Sequence, residues 1–125
     1  MTPTSPEDTA RMIELAMQCA REGMTEELVD AIDSGLPIDV QDLDGNTALM
    51  LAAYNGHAAT VAALVERGAD VDLRNKRDQS PVAGALFRGD ETVVRLLISA
   101  GADLDAGTPS ARETAVMSER PDLLD

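Results

Sequence analysis

The stretch from Asp44 to Asp72, DGNTALMLAAYNGHAATVAALVERGADVD, returns 33 residues later, without a gap, as RDQSPVAGALFRGDETVVRLLISAGADLD from Arg77 to Asp105. Thr47 falls on Ser80, Leu49 on Val82, Ala52 on Ala85, Tyr54 on Phe87, Gly56 on Gly89, Val61 on Val94 and Leu64 on Leu97. Gly68-Ala69-Asp70 falls on Gly101-Ala102-Asp103. A unit this short holds two small helices and a turn and cannot bury its apolar face alone, so its neighbours must cover it. The same shift taken backwards places Leu49 on Ala16, Ala52 on Cys19, Gly56 on Gly23, Val61 on Leu28 and Gly68 on Gly35, which marks a diverged first unit. Taken forwards once more it places Ala115 with Leu49 and Val82, in a truncated last unit. The expected organisation is a single domain over 1–125, with units at 1–35, 36–68, 69–101 and 102–125, the first and last acting as caps.

Local signals give the elements. Ser5-Pro6-Glu7-Asp8 is a helix start, with a capping hydroxyl, a proline at the first helical position and acids at the positive helix end; a helix from about Pro6 to Glu22 follows. Leu28, Ala31 and Ile32 share one face of a helix from about Thr25 to Ser34. The next two units carry helices at about Thr47 to Asn55, Ala58 to Arg67, Ser80 to Arg88 and Asp90 to Ala100. Gly35, Gly68 and Gly101 stand where a chain leaving a helix favours a left-handed residue. A last helix is expected from Glu113 to about Arg120, with Ser118 and Glu119 on its exposed end and Pro121 stopping it, leaving Leu123 and Leu124 exposed. The segments 36–46, 69–79 and 102–112 are connectors with turn residues, Asp44-Gly45 being the strongest turn signal.

Composition agrees with thin stacked layers. Apolar residues make up 44% of the chain but aromatics only 2%, so Ala, Leu and Val must fill the interior. The single cysteine has no partner for an internal disulfide, which implies a reducing compartment or indifference to redox state. MTPTSPEDTARM lacks the basic and apolar regions of an export signal, and no run is long enough to span a bilayer. A cytoplasmic, monomeric protein is expected. The net charge of −13 repels phosphate, so neither nucleic acid nor a membrane is an expected partner. The charge is uneven: residues 1–45 hold eleven acids against Arg11 and Arg21, 46–100 hold six of each sign, and 101–125 hold six acids against two arginines.

The two gapless copies, each closing on Gly-Ala-Asp, an apolar residue and Asp, resemble the ankyrin repeat, strongly over 36–105 and weakly from about 9 to 120. The resemblance implies an all-α solenoid of about four stacked helix-turn-helix units with short β-hairpin-like connectors, whose concave side binds another protein. It also implies a Thr-Pro-Leu-His start to each unit. Here that start reads Thr47-Ala48-Leu49-Met50 and Ser80-Pro81-Val82-Ala83, so the histidine bridge between units is replaced by the packing of Met50 and Ala83.

His57, the only histidine, sits at a helix start, and Cys19 falls on a column of small residues, so structural roles are expected for both. Asp70, Asp72, Asp103 and Asp105 recur at the repeat period, as turn-capping carboxylates do. No zinc-ligand set and no phosphate-cradling glycine loop is present, so no enzyme, cofactor or metal is expected. Tyr54 and Phe87, the only two aromatics, take one position in successive units, on the side that the resemblance makes concave. By the constant period their row is Arg21, Tyr54, Phe87, Arg120, beside Glu22, Asn55, Arg88, Pro121. The finger positions are Leu43, Asp44 and Asn46, then Lys76, Arg77 and Gln79.

Tyr, Phe and Arg are the types that anchor interfaces, which makes Arg21, Leu43, Asp44, Asn46, Tyr54, Asn55, Lys76, Arg77, Gln79, Phe87 and Arg88 the expected protein-binding set. The plain alternative is that the rings only cover the ends of small-residue helices. The basic group Arg74, Lys76, Arg77 and Arg88 is open to two readings, a seat for an acidic element or ordinary solubility. The acids Glu26, Glu27, Asp30 and Asp33 read either as a solvated face or as a docking surface for a basic partner. The second reading leads to the alternative function, an acidic inhibitor or immunity protein covering a basic toxin or enzyme.

Overall fold

A computed structural model describes residues 5–124; Met1 to Thr4 and Asp125, which include the start of the opening segment, lie outside it. Seven α-helices occur in chain order: α1 (Pro6–Glu22), α2 (Thr25–Asp33), α3 (Ala48–Tyr54), α4 (Ala58–Glu66), α5 (Pro81–Arg88), α6 (Glu91–Ser99) and α7 (Ala111–Met117), followed by a 3-10 turn, Pro121–Leu124. They form antiparallel pairs, and the pairs stack. The leading helices make one layer in the order α1, α3, α5, α7, and the trailing elements α2, α4, α6 and the 3-10 turn make the second.

Between the layers lies one continuous core. Leu28, Leu49, Val61, Leu64, Val82, Leu86, Val93, Val94 and Leu97 are buried there, with Ala16, Ala20, Ala52, Ala53, Ala85 and Ala115 letting the helices approach closely. Small residues at these contacts explain how the stack closes without aromatics. Met50 and Ala83 are buried as well, at 5% and 8% exposure, packing where the resemblance implied a histidine.

Each leading helix starts on a hydroxyl. The side chains of Ser5, Thr47, Ser80 and Ser110 accept from the backbone N–H of Asp8, Met50, Ala83 and Glu113. This satisfies one of the donors that a helix start leaves unpaired. Each leading helix ends in a left-handed residue that turns the chain into its partner: Gly23 (φ 72), Gly56 (φ 75), Gly89 (φ 73) and, in the last unit, Glu119 (φ 55).

The connectors are tied to one another by carboxylates and amides. Asp39 accepts from the Asp70 N–H at 2.9 Å and Asp72 from the Asp103 N–H at 2.7 Å, while Asp70 and Asp103 cap their own turns by accepting from the N–H of Asp72 and Asp105. The recurring aspartates are thus rungs of a ladder. At the fingers, Asp42 accepts from the N–H of Asp44 and Asn46, and Asn75 does the same for Arg77 and Gln79. The fingers are closed turns, and no strand forms among the described residues.

The last unit departs from the constant period. Its capping residue is Ser110, so the caps Thr47, Ser80 and Ser110 are spaced by 33 and then 30 residues. The bond from the Arg120 N–H to the Ala115 carbonyl repeats those from His57 to Ala52 and from Asp90 to Ala85, which fixes the register. Ala115 therefore occupies the place of Ala52 and Ala85, not that of Leu49 and Val82. The expected helix from Glu113 to Arg120 begins at Ala111 instead, and the exposed end carries Val116 (71% exposed) and Met117 (65%) rather than Ser118 and Glu119 alone. Pro121 begins the 3-10 turn, and Leu123, expected to be exposed, is buried to 1% under α6 and α7. The missing residues come from the finger, which runs through Ala106, Gly107, Thr108 and Pro109 with a cis Thr108-Pro109 bond.

Candidate protein-interaction surface

Tyr54 and Phe87 end α3 and α5 on the same side of the leading layer. Their rings are stacked, with centroids 6.5 Å apart and planes inclined by 10°, within the range of favourable aromatic pairs. Gly84 lies beside the pair, and a Cβ there would be in ordinary van der Waals contact with Tyr54, 3.5 Å from its Cδ2. The pair remains open to solvent, Tyr54 at 45% and Phe87 at 69% exposure. Tyr and Phe are residue types enriched at the buried centres of protein interfaces.

The shortened last unit changes the row these rings belong to. In the observed register it reads Arg21, Tyr54, Phe87, Met117, beside Glu22, Asn55, Arg88, Ser118. Arg120 is thereby removed from the first row, and it forms a surface ion pair with Asp122 at 3.1 Å. That pairing, through the hydrogen bond from Arg120, holds the Asp122 carboxyl below its ordinary range.

Several candidates are committed within the protein. Asn46 Oδ1 accepts from Asn75 Nδ2 at 2.9 Å, and Asn75 Nδ2 also reaches Gln79 Oε1 at 2.7 Å. With Gln41 Nε2 donating to the carbonyls of Gly45 and Arg74, these amides bind the first finger to the second. Asn55 Nδ2 donates to the Leu51 carbonyl at 2.7 Å. Arg21 lies 3.9 Å from Asp42. Of the basic group, Arg74 pairs with Asp78 at 3.2 Å, whereas Lys76, Arg77 and Arg88 are exposed and enter no ion pair among the described residues. Leu43 stands at 90% exposure on the first finger.

A feature that sequence reasoning missed lies at the first unit. A cleft of about 410 Å³ opens between α1 and the first finger, lined by Ala10, Ile13, Met17 and Leu43 with Glu14, Arg21, Gln41, Asp42 and Asp44 around them. The signal was the length of α1, which exceeds every other leading helix and runs its first turns past the finger.

His57 Nε2 meets the Arg21 carbonyl at 2.7 Å, closing the end of α1 against the start of α4. Cys19 is partly buried, and desolvation, followed by the carboxylates of Glu27 and Glu22, pushes its thiol pKa up. This disfavours the thiolate that a nucleophile requires. Among the described residues no group of three His, Cys, Asp or Glu side chains is placed to hold a metal ion, and no helix is long and apolar enough to cross a membrane.

Stacked helix pairs joined by turned fingers, with an aspartate ladder along the connectors, define a helical repeat array of the ankyrin class. The family model for ankyrin repeats in three copies matches residues 16–108, and the chain belongs to the ankyrin repeat family. An ankyrin repeat protein of Pseudomonas aeruginosa is 36% identical over 54 residues, a match that covers 43% of this chain and 32% of that protein. The chain thus spans about a third of that relative's length. Members of this family are in general protein-interaction modules.

Proposed function

We propose that the chain is a non-catalytic, monomeric, cytoplasmic module that binds another protein across its leading-helix face. The Tyr54–Phe87 pair anchors the contact, and Arg21, Leu43, Asp44, Lys76, Arg77 and Arg88 surround it. Asn46, Asn55 and Gln79 hold the surface in shape from within. The carrying observation is that the two aromatics of the whole chain stack on each other and stay exposed, although the core is complete without them. Neither nucleic acid nor a membrane is a partner in this reading.

The test is partner capture by the Tyr54→Ala, Phe87→Ala double variant. Both rings are surface groups, so helicity and Tm stay close to those of the unsubstituted protein while capture is lost; each anchor contributes about 2 kcal/mol or more. Capture at the original level by a folded double variant overturns the site. The acidic face of α2 serves as the comparison: neutralising Glu26, Glu27 and Asp30 leaves capture intact in this reading, whereas an inhibitor of a basic enzyme would lose it.

A further inference from the structure

The two fingers present opposite chemistry at equivalent positions. Leu43 and Asp44 on the first correspond to Lys76 and Arg77 on the second, although the turns that hold them are alike in their hydrogen bonds. All four side chains are exposed, so stacking does not dictate their identity. Among the described residues no third finger tip continues the row, because the last connector is three residues shorter; it rests on the second finger much as the second rests on the first through the bond from the Lys76 N–H to the Asp44 carbonyl. There the Thr108 N–H donates to the Asp78 carbonyl at 2.8 Å, and a Cβ on Gly107 would stand 2.9 Å from that oxygen.

Around the first finger the cleft floor is apolar, and its rim carries Glu14, Asp42 and Asp44 against Arg21 alone. Asp42 and Arg21 offset each other at 3.9 Å, which leaves Glu14 and Asp44 without an ion-pair partner among the described residues. Around the second finger Arg74 and Asp78 neutralise each other, which leaves Lys76 and Arg77 uncompensated. The surface is therefore negative with an apolar floor at one end and positive at the other, one repeat apart.

We propose that this face takes an extended partner segment of split charge. A Lys or Arg beside an apolar side chain enters the cleft of the first unit, and an Asp or Glu meets Lys76 and Arg77. The Lys76 N–H donates to the Asp44 carbonyl at 3.0 Å, so the two finger tips touch; an extended chain advances about 3.3 Å per residue, and the two charges of the segment stand within about three residues of each other, in a fixed order. This rests on the preceding assignment of the leading-helix face as the binding surface and adds the partner's chemistry to it.

The experiment selects random dodecapeptides displayed on phage against the full chain, and then against two folded variants, Glu14→Lys with Asp44→Lys and Lys76→Glu with Arg77→Glu. On the unsubstituted protein the enriched peptides carry a basic-apolar pair and an acid about three residues away, always in the same order. A synthetic peptide of that sequence binds about tenfold or more weakly to either variant and loses affinity with added salt. Selection on the Lys76→Glu, Arg77→Glu protein replaces the acid by a base at that position. Failure to enrich peptides, charges in no fixed order, or the same sequences recovered on all three proteins overturns the proposal. Binding of the selected peptide to the Tyr54→Ala, Phe87→Ala variant separates it from the functional reading. Undiminished, charge-ordered binding there removes the aromatic anchor and leaves the split charge standing, and loss of binding without any charge order does the reverse.

Discussion

Gly23 and His57 meet at the joint between the first two units, and the contact is close enough to test. Gly23 has φ 72, and a Cβ on it would stand 2.6 Å from Nδ1 of the His57 ring, which also holds the Arg21 carbonyl. Gly23→Ala thus combines left-handed strain of about 1–2 kcal/mol with displacement of that ring. Gly89 has φ 73 and nothing within 4 Å of such a Cβ, so Gly89→Ala carries the strain alone. Urea unfolding is expected to show the Gly23 variant as the less stable of the two; equal midpoints would mean that the ring moves aside at no cost. Cys19 gives a second prediction. Its raised pKa means the folded state holds the thiol proton more tightly than the unfolded chain does. The stabilisation is complete below the unfolded value of about 8.5 and is lost as pH rises through the folded one. Alkylation of the native protein at pH 7 should be slower than that of the urea-unfolded chain and should climb steadily as pH rises toward the raised pKa, as followed by mass spectrometry; a rate equal to that of the unfolded chain would contradict it. A structural role for His57 was legible from its place at a helix start, but its partner was not, since a backbone carbonyl leaves no mark in sequence.

At the scale of the element, α7 is the helix whose ends depended on more than the repeat. Ser110 and Glu113 form a reciprocal capping box, at 3.2 Å and 2.9 Å, in a unit with only one neighbouring pair to support it. Ser110→Ala should cost about 1 kcal/mol, read as a lower Tm. Leu123→Ala removes the apolar plug of the 3-10 turn and should cost about 2–5 kcal/mol, the usual loss for a buried leucine; a cost below about 1 kcal/mol would show that the turn adds little to the stack. Helices α1 to α6 were readable to within a residue or two, because period and glycine exits agreed, with hydroxyl caps besides on the leading helices α1, α3 and α5. The α7 register was not, because a strict period takes no account of a shortened finger. The correcting signal was present in the sequence: Ser110-Ala111-Arg112-Glu113 is the spacing of a capping box, and it outranks repeat arithmetic where the two conflict.

For the whole molecule, charge and layering act together. A net charge of −13, concentrated in the first 45 residues and the last unit, repels itself across the stack. Raising salt from about 0.01 M to 0.15 M shortens the screening length from about 30 Å to about 8 Å, so Tm should rise over that range; a fall would mean that the surface ion pairs outweigh the repulsion. The stack and the pairing of the two aromatics were legible because each follows from equivalence between copies. The cleft beside α1 was not, since it is lined by the extra first turns of α1, which have no helical counterpart in the later units. The three-residue shortening near Pro109 also bears on how such a chain lengthens over generations. An exchange between misaligned gene copies that adds 33 codons keeps caps, glycines and ladder in phase when both breakpoints fall at equivalent places between residues 36 and 101. One that joins the last finger to an earlier one adds a unit shortened in its finger, and α7 shows that the stack takes such a unit in register. Either length of unit therefore stacks, and the difference in length falls on the finger, the part of the unit that stacking leaves free to vary.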